Sequence, residues 1–506
     1  MGDEVWRDCF LRWLISRGGD GSDTKEDDTI EDKSKIRKVK TSRNHLPSAI
    51  LNFGFVATGW RDTFSKRVLA LSNSALNYKP HSPLQNLPAL YSEELYRPHL
   101  CAHFTFPSDF LRDETVDRRK LCDLGVGVFE RDYEEKNVPV VILGGSECWP
   151  CVRDWGKVGV LVNKTNTNTN STAAAECGSK SAPPTFRATS GKCSIPVEFT
   201  LSTYLEYARC QRKDEAPLYF FDRDFVAKCP QLGKDYQSEL KKTCPFFCTT
   251  PENPSDLFSL LGSDKRPDHK WLIIGPQRSG SSFHIDPNCT HAWNCPIIGR
   301  KKWIFYPPGH PPPGVIPSSD GDDVAMPISL GEWVIDFWKE HVKRKQKLKR
   351  EGRWEEMPLE CVVSPGDILF VPHGWWHTVI NLEEEEGSPG EMMPNIALTQ
   401  NYVSKSNLPD AFRFLRNKIS QISGCRDRAE AVDPELFFEE FKAKVFEYDA
   451  ELARDALERS DKGWECNAWK DEVKKAAGDI KVGPSILDKA KEDVESGAGG
   501  FCFNFD

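Results

Sequence analysis

The 506-residue chain has no run of roughly 18 or more apolar residues, which excludes a helix crossing a membrane. It lacks a basic excess as well: 67 Lys and Arg stand against 76 Asp and Glu, a net charge of −9. That balance argues against a dedicated duplex-DNA binder. Its first residues, MGDEVWRDCF, are acidic where a signal peptide is basic, and Arg12 breaks the apolar stretch, so no export signal is expected. Gly2 is not followed by the Ser or Thr that N-myristoylation needs, because Trp6 stands there. No internal repeat is present. The 17 cysteines have no repeating spacing, so without an export signal they read as reduced thiols rather than a disulfide framework. The sequons at Asn163 and Asn170 then carry no glycan.

What is present is material for a large core: 39% hydrophobic residues, including 15 Trp and 29 Phe, which excludes global disorder. Length alone suggests about three domains. Residues 1–98 are expected to be helical and partly flexible, with an amphipathic start over 1–17, a Gly/Asp/Lys-rich stretch near 18–45 and apolar helical content over 46–75. From 99 to 410 the expectation is one long unit. It opens with NVPVVILGG (137–145), a buried strand ended by Gly-Gly. It then carries a polar low-complexity loop insertion at 163–184. From about 195 come many short apolar strands separated by Pro/Gly turns, among them PLYFFD, KWLIIGP, KKWIFYPPG, DILFVPHG and NIALTQNYV. Such punctuation reads as a β-sandwich or barrel, with one helix inside it at 328–354. Residues 411–506 turn helical: Asp433-Pro434 starts a helix whose apolar face is Leu436, Phe437, Phe438, Phe441 and Val445.

The informative segment is GPQRSGSSFHIDP (275–287). His284 and Asp286 are two apart, and in a strand i and i+2 face the same way. The pair alone is weak, since about one His-x-Asp is expected by chance in such a chain. A third candidate, His377, lies in SPGDILFVPHGWWHTVINL (364–382). Two histidines and a carboxylate from neighbouring strands make the facial triad that leaves positions open on a ferrous ion. A lone histidine on an apolar strand is more often a satisfied core residue, and His373 competes for the role, although its Pro-His-Gly turn puts it at a barrel rim. An oxygenase using 2-oxoglutarate also needs a buried cation for the distal carboxylate. Lys301, in GRKKWIFYPPG, shares strand parity with Trp303 and Phe305. Lys302 shares it with Ile304 and Tyr306, so parity alone does not choose between the two lysines.

The set GPQRSGSSFHIDP, AWNCPIIGRKKWIFYPP, ECVVSPGDILFVPHGWWHTVINL and NIALTQNYV closely resembles the Jumonji-C domain oxygenases, within them the branch of the bifunctional arginine demethylases and lysyl hydroxylases. The resemblance spans roughly 125–450 and is strongest at 270–405. It implies a mainly β fold with flanking helices, built on a double-stranded β-helix of the cupin or jelly-roll type. It implies Fe(II) held by His284, Asp286 and His377. It places Asn294, Lys301 and Thr399 on the 2-oxoglutarate cosubstrate, Lys301 and Thr399 at its distal carboxylate. Ser281 matches a pocket position that holds Thr in relatives. The resemblance thus chooses Lys301 over Lys302 and His377 over His373. The implied activity consumes O2 and 2-oxoglutarate to hydroxylate lysyl or arginyl side chains of proteins such as histones, or to demethylate them where the carbon attacked is an N-methyl group.

The acidic turn in NLEEEEGSPGEMMPN (381–395) is longer than relatives lead one to expect. The N-terminal pieces DEVWRDCFLRW and GFVATGWRDTFSKR resemble the latter half of F-box regions, but the opening Leu-Pro helix is missing. A packing extension is therefore expected rather than a ubiquitin-ligase adaptor. The implied partners are a protein substrate with a basic tail and a second copy through the C-terminal helices, with nucleic acid left open. Nuclear residence, with some cytoplasmic, follows from the resemblance more than from the basic runs KSKIRKVK (33–40) and KRKQKLKR (343–350). The second run lies on a helix, where a solvated face is the usual explanation. Cys148-Trp149-Pro150-Cys151 is a lone CxxC with no second pair to make a zinc site, and burial beside phenylalanines explains Cys244 and Cys248. Two other classes compete with the oxygenase: a non-catalytic F-box or cupin-type adaptor, and a metal cupin of small-molecule metabolism.

Overall fold

A computed structural model describes residues 101–166, 183–189, 197–211, 214–248, 254–318, 324–382, 393–425 and 430–462. The expectations for 1–98, for most of the 163–184 insertion, for the acidic turn over 383–392 and for the chain beyond 462 lie outside the described residues.

The short apolar runs become strands: β1 (Asp117–Lys120), β2 (Val140–Leu143), β3 (Thr185–Thr189), β4 (Val197–Thr200), β5 (Tyr219–Asp222), β6 (Lys270–Gly275), β7 (Gly280–His284), β8 (His291–Ile298) and β9 (Lys301–Tyr306). A small hairpin, β10 (Ile316–Pro317) with β11 (Val324–Ala325), precedes β12 (Leu359–Val363), β13 (Ile368–Val371), β14 (Trp376–Asn381) and β15 (Asn395–Tyr402). Nine strands form one sheet in the order β1-β2-β13-β8-β15-β6-β5-β3-β4, and four form a second, β12-β9-β14-β7. Apart from the β1–β2 pair, the pairings are antiparallel. This is the expected jelly-roll core.

Strand alternation sorts each run onto two faces. Between the sheets lie Val141, Ala292, Leu369 and Val371 from the large sheet, and Trp303, Phe305, Cys361, Val363 and Val379 from the small one. The outer face of the large sheet, including Trp293, Cys295, Phe370 and Leu398, packs on Trp149, Trp155 and helix α1 (Leu201–Cys210). The outer face of the small sheet, with Ile304, Tyr306, Trp376 and Ile380, packs on Trp333, Val334 and Trp338 of helix α2 (Leu330–Glu351). Both faces of both sheets are therefore covered, which is why so many strands read as continuous apolar runs.

Helix α2 begins where the Ser329 hydroxyl accepts the Glu332 N–H at 3.1 Å, a standard N-cap. It ends on Gly352 in the left-handed region, φ 69°, which glycine adopts without strain. Its basic run is not wholly solvated. Lys345 is buried and pairs with Asp113 and Glu360, because its turn of the helix faces the small sheet.

Helices α3 (Leu408–Asn417), α4 (Pro434–Tyr448) and α5 (Ala450–Asp461) share a core with Leu257, Phe258 and Val403. Asp433 caps α4, its carboxylate accepting the Glu435 N–H at 3.0 Å. Phe437, Phe441 and Val445 are buried as expected, but Leu436 is 55% exposed. One position before Phe437, it is rotated about 100° off the buried stripe. A helix over Val158–Asn166 also carries regular structure into the first residues of the stretch expected to be loop.

Candidate metal centre and cosubstrate pocket

Most of the polar residues singled out by the sequence fall on one inner surface. His377, at the start of β14, is registered directly against His284, at the end of β7. The two rings lie 4.2 Å apart, centre to centre. Asp286 follows two residues after His284, in extended backbone leading into a 3-10 turn. Its Oδ1 is 3.7 Å from His284 Nε2 and 3.8 Å from His377 Nε2. The three residues each offer a ligand atom within 4.8 Å of the others, the only such group of three or more His, Cys, Asp or Glu among the described residues. The CxxC cysteines make no such cluster there.

Close approach of β7 and β14 depends on Gly280. A Cβ at that position would lie 1.9 Å from the Val379 carbonyl oxygen. The register shifts between His377 and Val379, which leaves Ser281 opposite Val379 and so on the inner face. Both imidazoles are fixed by their own strands. His284 Nδ1 is 2.8 Å from the Ser282 carbonyl oxygen, and His377 Nδ1 is 3.0 Å from that of Trp375. A carbonyl only accepts, so each Nδ1 carries a proton and each Nε2 is the ring nitrogen turned toward Asp286. Burial, aided by the nearby His284, holds His377 well below the ordinary imidazole range, which keeps it neutral. Burial pushes the Asp286 carboxyl up, against the pull of His284 and a hydrogen bond from Asn401. Asn401 is itself placed by donating to the Thr290 hydroxyl at 2.8 Å.

Farther along the lumen, β9 separates its two lysines. Lys302 points outward and meets Glu360 at 2.9 Å. Lys301 points inward and is buried, donating from Nζ to Asn381 Oδ1 at 2.7 Å and to the Tyr219 hydroxyl at 3.1 Å. Among the described residues no carboxylate pairs with it, and burial alone depresses it to about 7. Thr399 on β15 is registered between Asn294 on β8 and Trp271 on β6, and its hydroxyl donates to the Trp293 carbonyl at 2.7 Å. The buried Asn294 Oδ1 has no hydrogen-bond partner among the described residues.

His373 joins none of this. Its Nε2 lies 2.9 Å from Asp410 Oδ2 on α3, and its backbone N–H donates to His291 Nδ1. Sequence reasoning missed Tyr219, Asn381 and Asn401. Two of them carried a signal: Asn381 follows His377 and Val379 at period two, and Asn401 follows Thr399 in the same way. A polar residue that continues an inward row signals a polar stretch of the lumen. Tyr219 in PLYFFD had no such marker.

The fold and this surface define a cupin-type barrel with a candidate metal centre, and the chain belongs to the cupin-like domain family, which matches residues 127–407. It is similar to the arginine-specific demethylase JMJ22 of Arabidopsis thaliana, 37% identical over 345 residues that cover 68% of this chain and 57% of that protein. It is similar to the bifunctional arginine demethylase and lysyl-hydroxylase psr-1 of Caenorhabditis elegans, 32% identical over 58% of this chain and 63% of the relative. The 2-oxoglutarate and iron-dependent oxygenase JMJD4 of Danio rerio is 29% identical over 31% of each chain. The chain thus spans less than two thirds of the length of these relatives. No helix among the described residues is long and apolar enough to cross a membrane.

Proposed function

We propose that this chain is an Fe(II)- and 2-oxoglutarate-dependent oxygenase acting on lysyl or arginyl side chains of proteins. The observation that carries the reading is the convergence of His284, Asp286 and His377 with both Nε2 atoms turned to the carboxylate. Two neutral imidazoles and one carboxylate are the donor set of the ferrous facial triad, which leaves positions free for a chelating cosubstrate and oxygen. The rest of the lumen fits a dicarboxylate: a buried lysine with no counter-ion among the described residues, the Thr399 hydroxyl, and an Asn294 amide whose unpaired end becomes a donor on a simple flip. In this reading His284, Asp286 and His377 hold the metal, and Lys301 and Thr399 take the distal carboxylate. Asn294 takes the end nearer the metal, and Ser281 lines the substrate side.

Bound iron with 2-oxoglutarate supplies the oxidising chemistry, in which oxygen, 2-oxoglutarate and a C–H bond become succinate, CO2 and a C–OH bond. The chain's own part is orientation. The backbone carbonyls of Ser282 and Trp375 fix the tautomers, Asn401 holds Asp286, and the aromatic wall of Trp303 and Phe305 against His377 keeps water out. Hydroxylation at an N-methyl carbon would release formaldehyde and appear as demethylation.

The names of the relatives support arginine or lysine as the residue attacked, and the net charge of −9 suits a basic substrate segment. Nuclear residence and pairing of two copies through α3–α5 belong to the same proposal. The test is succinate formation that requires Fe(II) and is abolished by His284→Ala, followed by mass spectrometry of candidate peptides. Gain of one oxygen marks hydroxylation and loss of one methylene marks demethylation. Cosubstrate turnover undiminished in His284→Ala would refute the reading.

A further inference from the structure

Among the described residues, two of the buried polar atoms without a hydrogen-bond partner belong to the barrel interior, one on each sheet: Asn294 Oδ1 on β8 and Trp303 Nε1 on β9. Asn294 already belongs to the proposed ligand set. Trp303 does not, and nothing in the motifs called for a donor there. Its indole stacks on Phe305, with centres 5.7 Å apart and planes 7° from parallel, and its centre lies 5.8 Å from that of His377. The ring is therefore held in place by packing, with its N–H closed off from solvent. An indole N–H can only donate. Left unpaired in the interior it loses its water partner and gains nothing in return, and folded proteins seldom keep such a group without a reason.

Placement supplies the reason. Trp303 shares the inner face with Lys301, two residues earlier on β9, and is registered opposite Val379, midway between His377 and Asn381 on β14. The unused donor thus sits on the stretch of wall that runs from the buried cation to the His-Asp-His group. A ligand lying along that stretch meets the Lys301 ammonium and the indole N–H, so it must be rich in acceptors. Trp293 provides the contrast. Its Nε1 is also unpartnered, but its ring packs on the outer face of the large sheet against Trp149 and Phe247.

We propose that the Trp303 indole N–H is a further binding donor for the dicarboxylate cosubstrate, donating to a carboxylate oxygen between Lys301 and the metal-binding group. The inference rests on the cosubstrate reading above, and the experiment separates the two. The full chain, labelled with 15N and loaded with Zn(II) in place of iron, is titrated with 2-oxoglutarate while its indole N–H resonances are followed. The resonance missing from Trp303→Phe should move downfield to saturation, and the one missing from Trp293→Phe should stay in place. In calorimetry, Trp303→Phe should bind 2-oxoglutarate about tenfold more weakly, as expected for one hydrogen bond to a charged acceptor, with its Zn(II) affinity unchanged. Should the phenylalanine variant not fold, Trp303→Tyr serves for assignment and the wild-type titration still decides. A Trp303 resonance that stays still at saturation, or wild-type affinity in the variant, would overturn the inference while Lys301→Met still abolished binding. Failure of the Zn(II)-loaded wild type to bind 2-oxoglutarate would bring down the cosubstrate reading itself.

Discussion

Lys301 offers the sharpest test of how the lumen is built. Its ammonium is buried against two neutral acceptors, and burial alone lowers it from 10.5 to about 7. At about 1.4 kcal/mol per pH unit, the folded protein disfavours the charged form by on the order of 5 kcal/mol. Below pH 7 the lysine is protonated in both folded and unfolded chains, so the folded state carries that penalty in full. Between about 7 and 10.5 the folded state releases its proton first, and stability rises with pH through this window. Lys301→Met should therefore stabilise the metal-free, cosubstrate-free protein by several kcal/mol at pH 6.5, less the two lost hydrogen bonds. The advantage should shrink steadily toward pH 10. A bound dicarboxylate restores the missing counter-charge, so at pH 8 binding of 2-oxoglutarate should take up close to one proton. Urea denaturation of both proteins across pH 6.5–9.5 measures the first effect. Calorimetric binding in buffers of different ionisation enthalpy measures the second. Parallel stability curves together with a buffer-independent binding enthalpy would refute the reasoning.

Glu360→Ala should destabilise the fold by about 3–5 kcal/mol in urea denaturation, the cost of stripping the anion from a buried ion cluster. It would leave Lys302, Lys345 and His341 without their shared carboxylate. Burial pushes that carboxyl up, but the His341 hydrogen bond and the two lysines pull it down to about 2. Its contribution is thus full above the ordinary carboxylate range and lost as pH falls toward 2, and Glu360→Gln should flatten acid unfolding in that window. Gly280→Ala drives a Cβ into the Val379 carbonyl and should part β7 from β14 at the His284–His377 pair, lowering Zn(II) affinity about tenfold or more in a competition titration. His377→Ala should abolish metal binding in the same assay, whereas His373→Ala should leave it nearly unchanged. Phe437→Ala should cost about 3–5 kcal/mol, and Leu436→Ala next to it less than about 0.5, both by thermal unfolding.

Period-two patterning made the strands of the barrel legible, because both sheets are covered and each strand is a bounded apolar run. The same patterning placed His284 with Asp286 and Lys301 with Trp303. It could not say which of two alternating faces was the lumen, since Trp303 and Phe305 on one side are as apolar as Ile304 and Tyr306 on the other. Only the packing of α2, residues 24 to 50 positions farther along the chain, on one side and of the large sheet on the other distinguishes the sides. The partners of Lys301 are likewise distant: Asn381 is 80 residues away and Tyr219 82. The C-terminal helix showed its cap clearly but not its buried stripe, because four apolar residues in six leave the centre of the face undefined until Phe258 packs on Phe437 and Phe441.

The two neighbouring lysines of β9 make the case for a ligand more strongly than either does alone. Both are buried, and they differ by one residue and therefore by one face. The outward lysine meets Glu360, which also binds His341 and Lys345, so the protein supplies its counter-ion from within. Among the described residues the inward lysine meets only an amide oxygen and a phenol. A fold able to surround one buried ammonium with a carboxylate has left the next one bare, at the end of a lumen whose other end carries three convergent metal-type donors. Replacing Lys301 with Met therefore gains stability in the empty protein, and replacing Glu360 with Ala loses it. That opposition in sign between adjacent ion sites is what separates a position shaped for folding from one held open for a charged ligand.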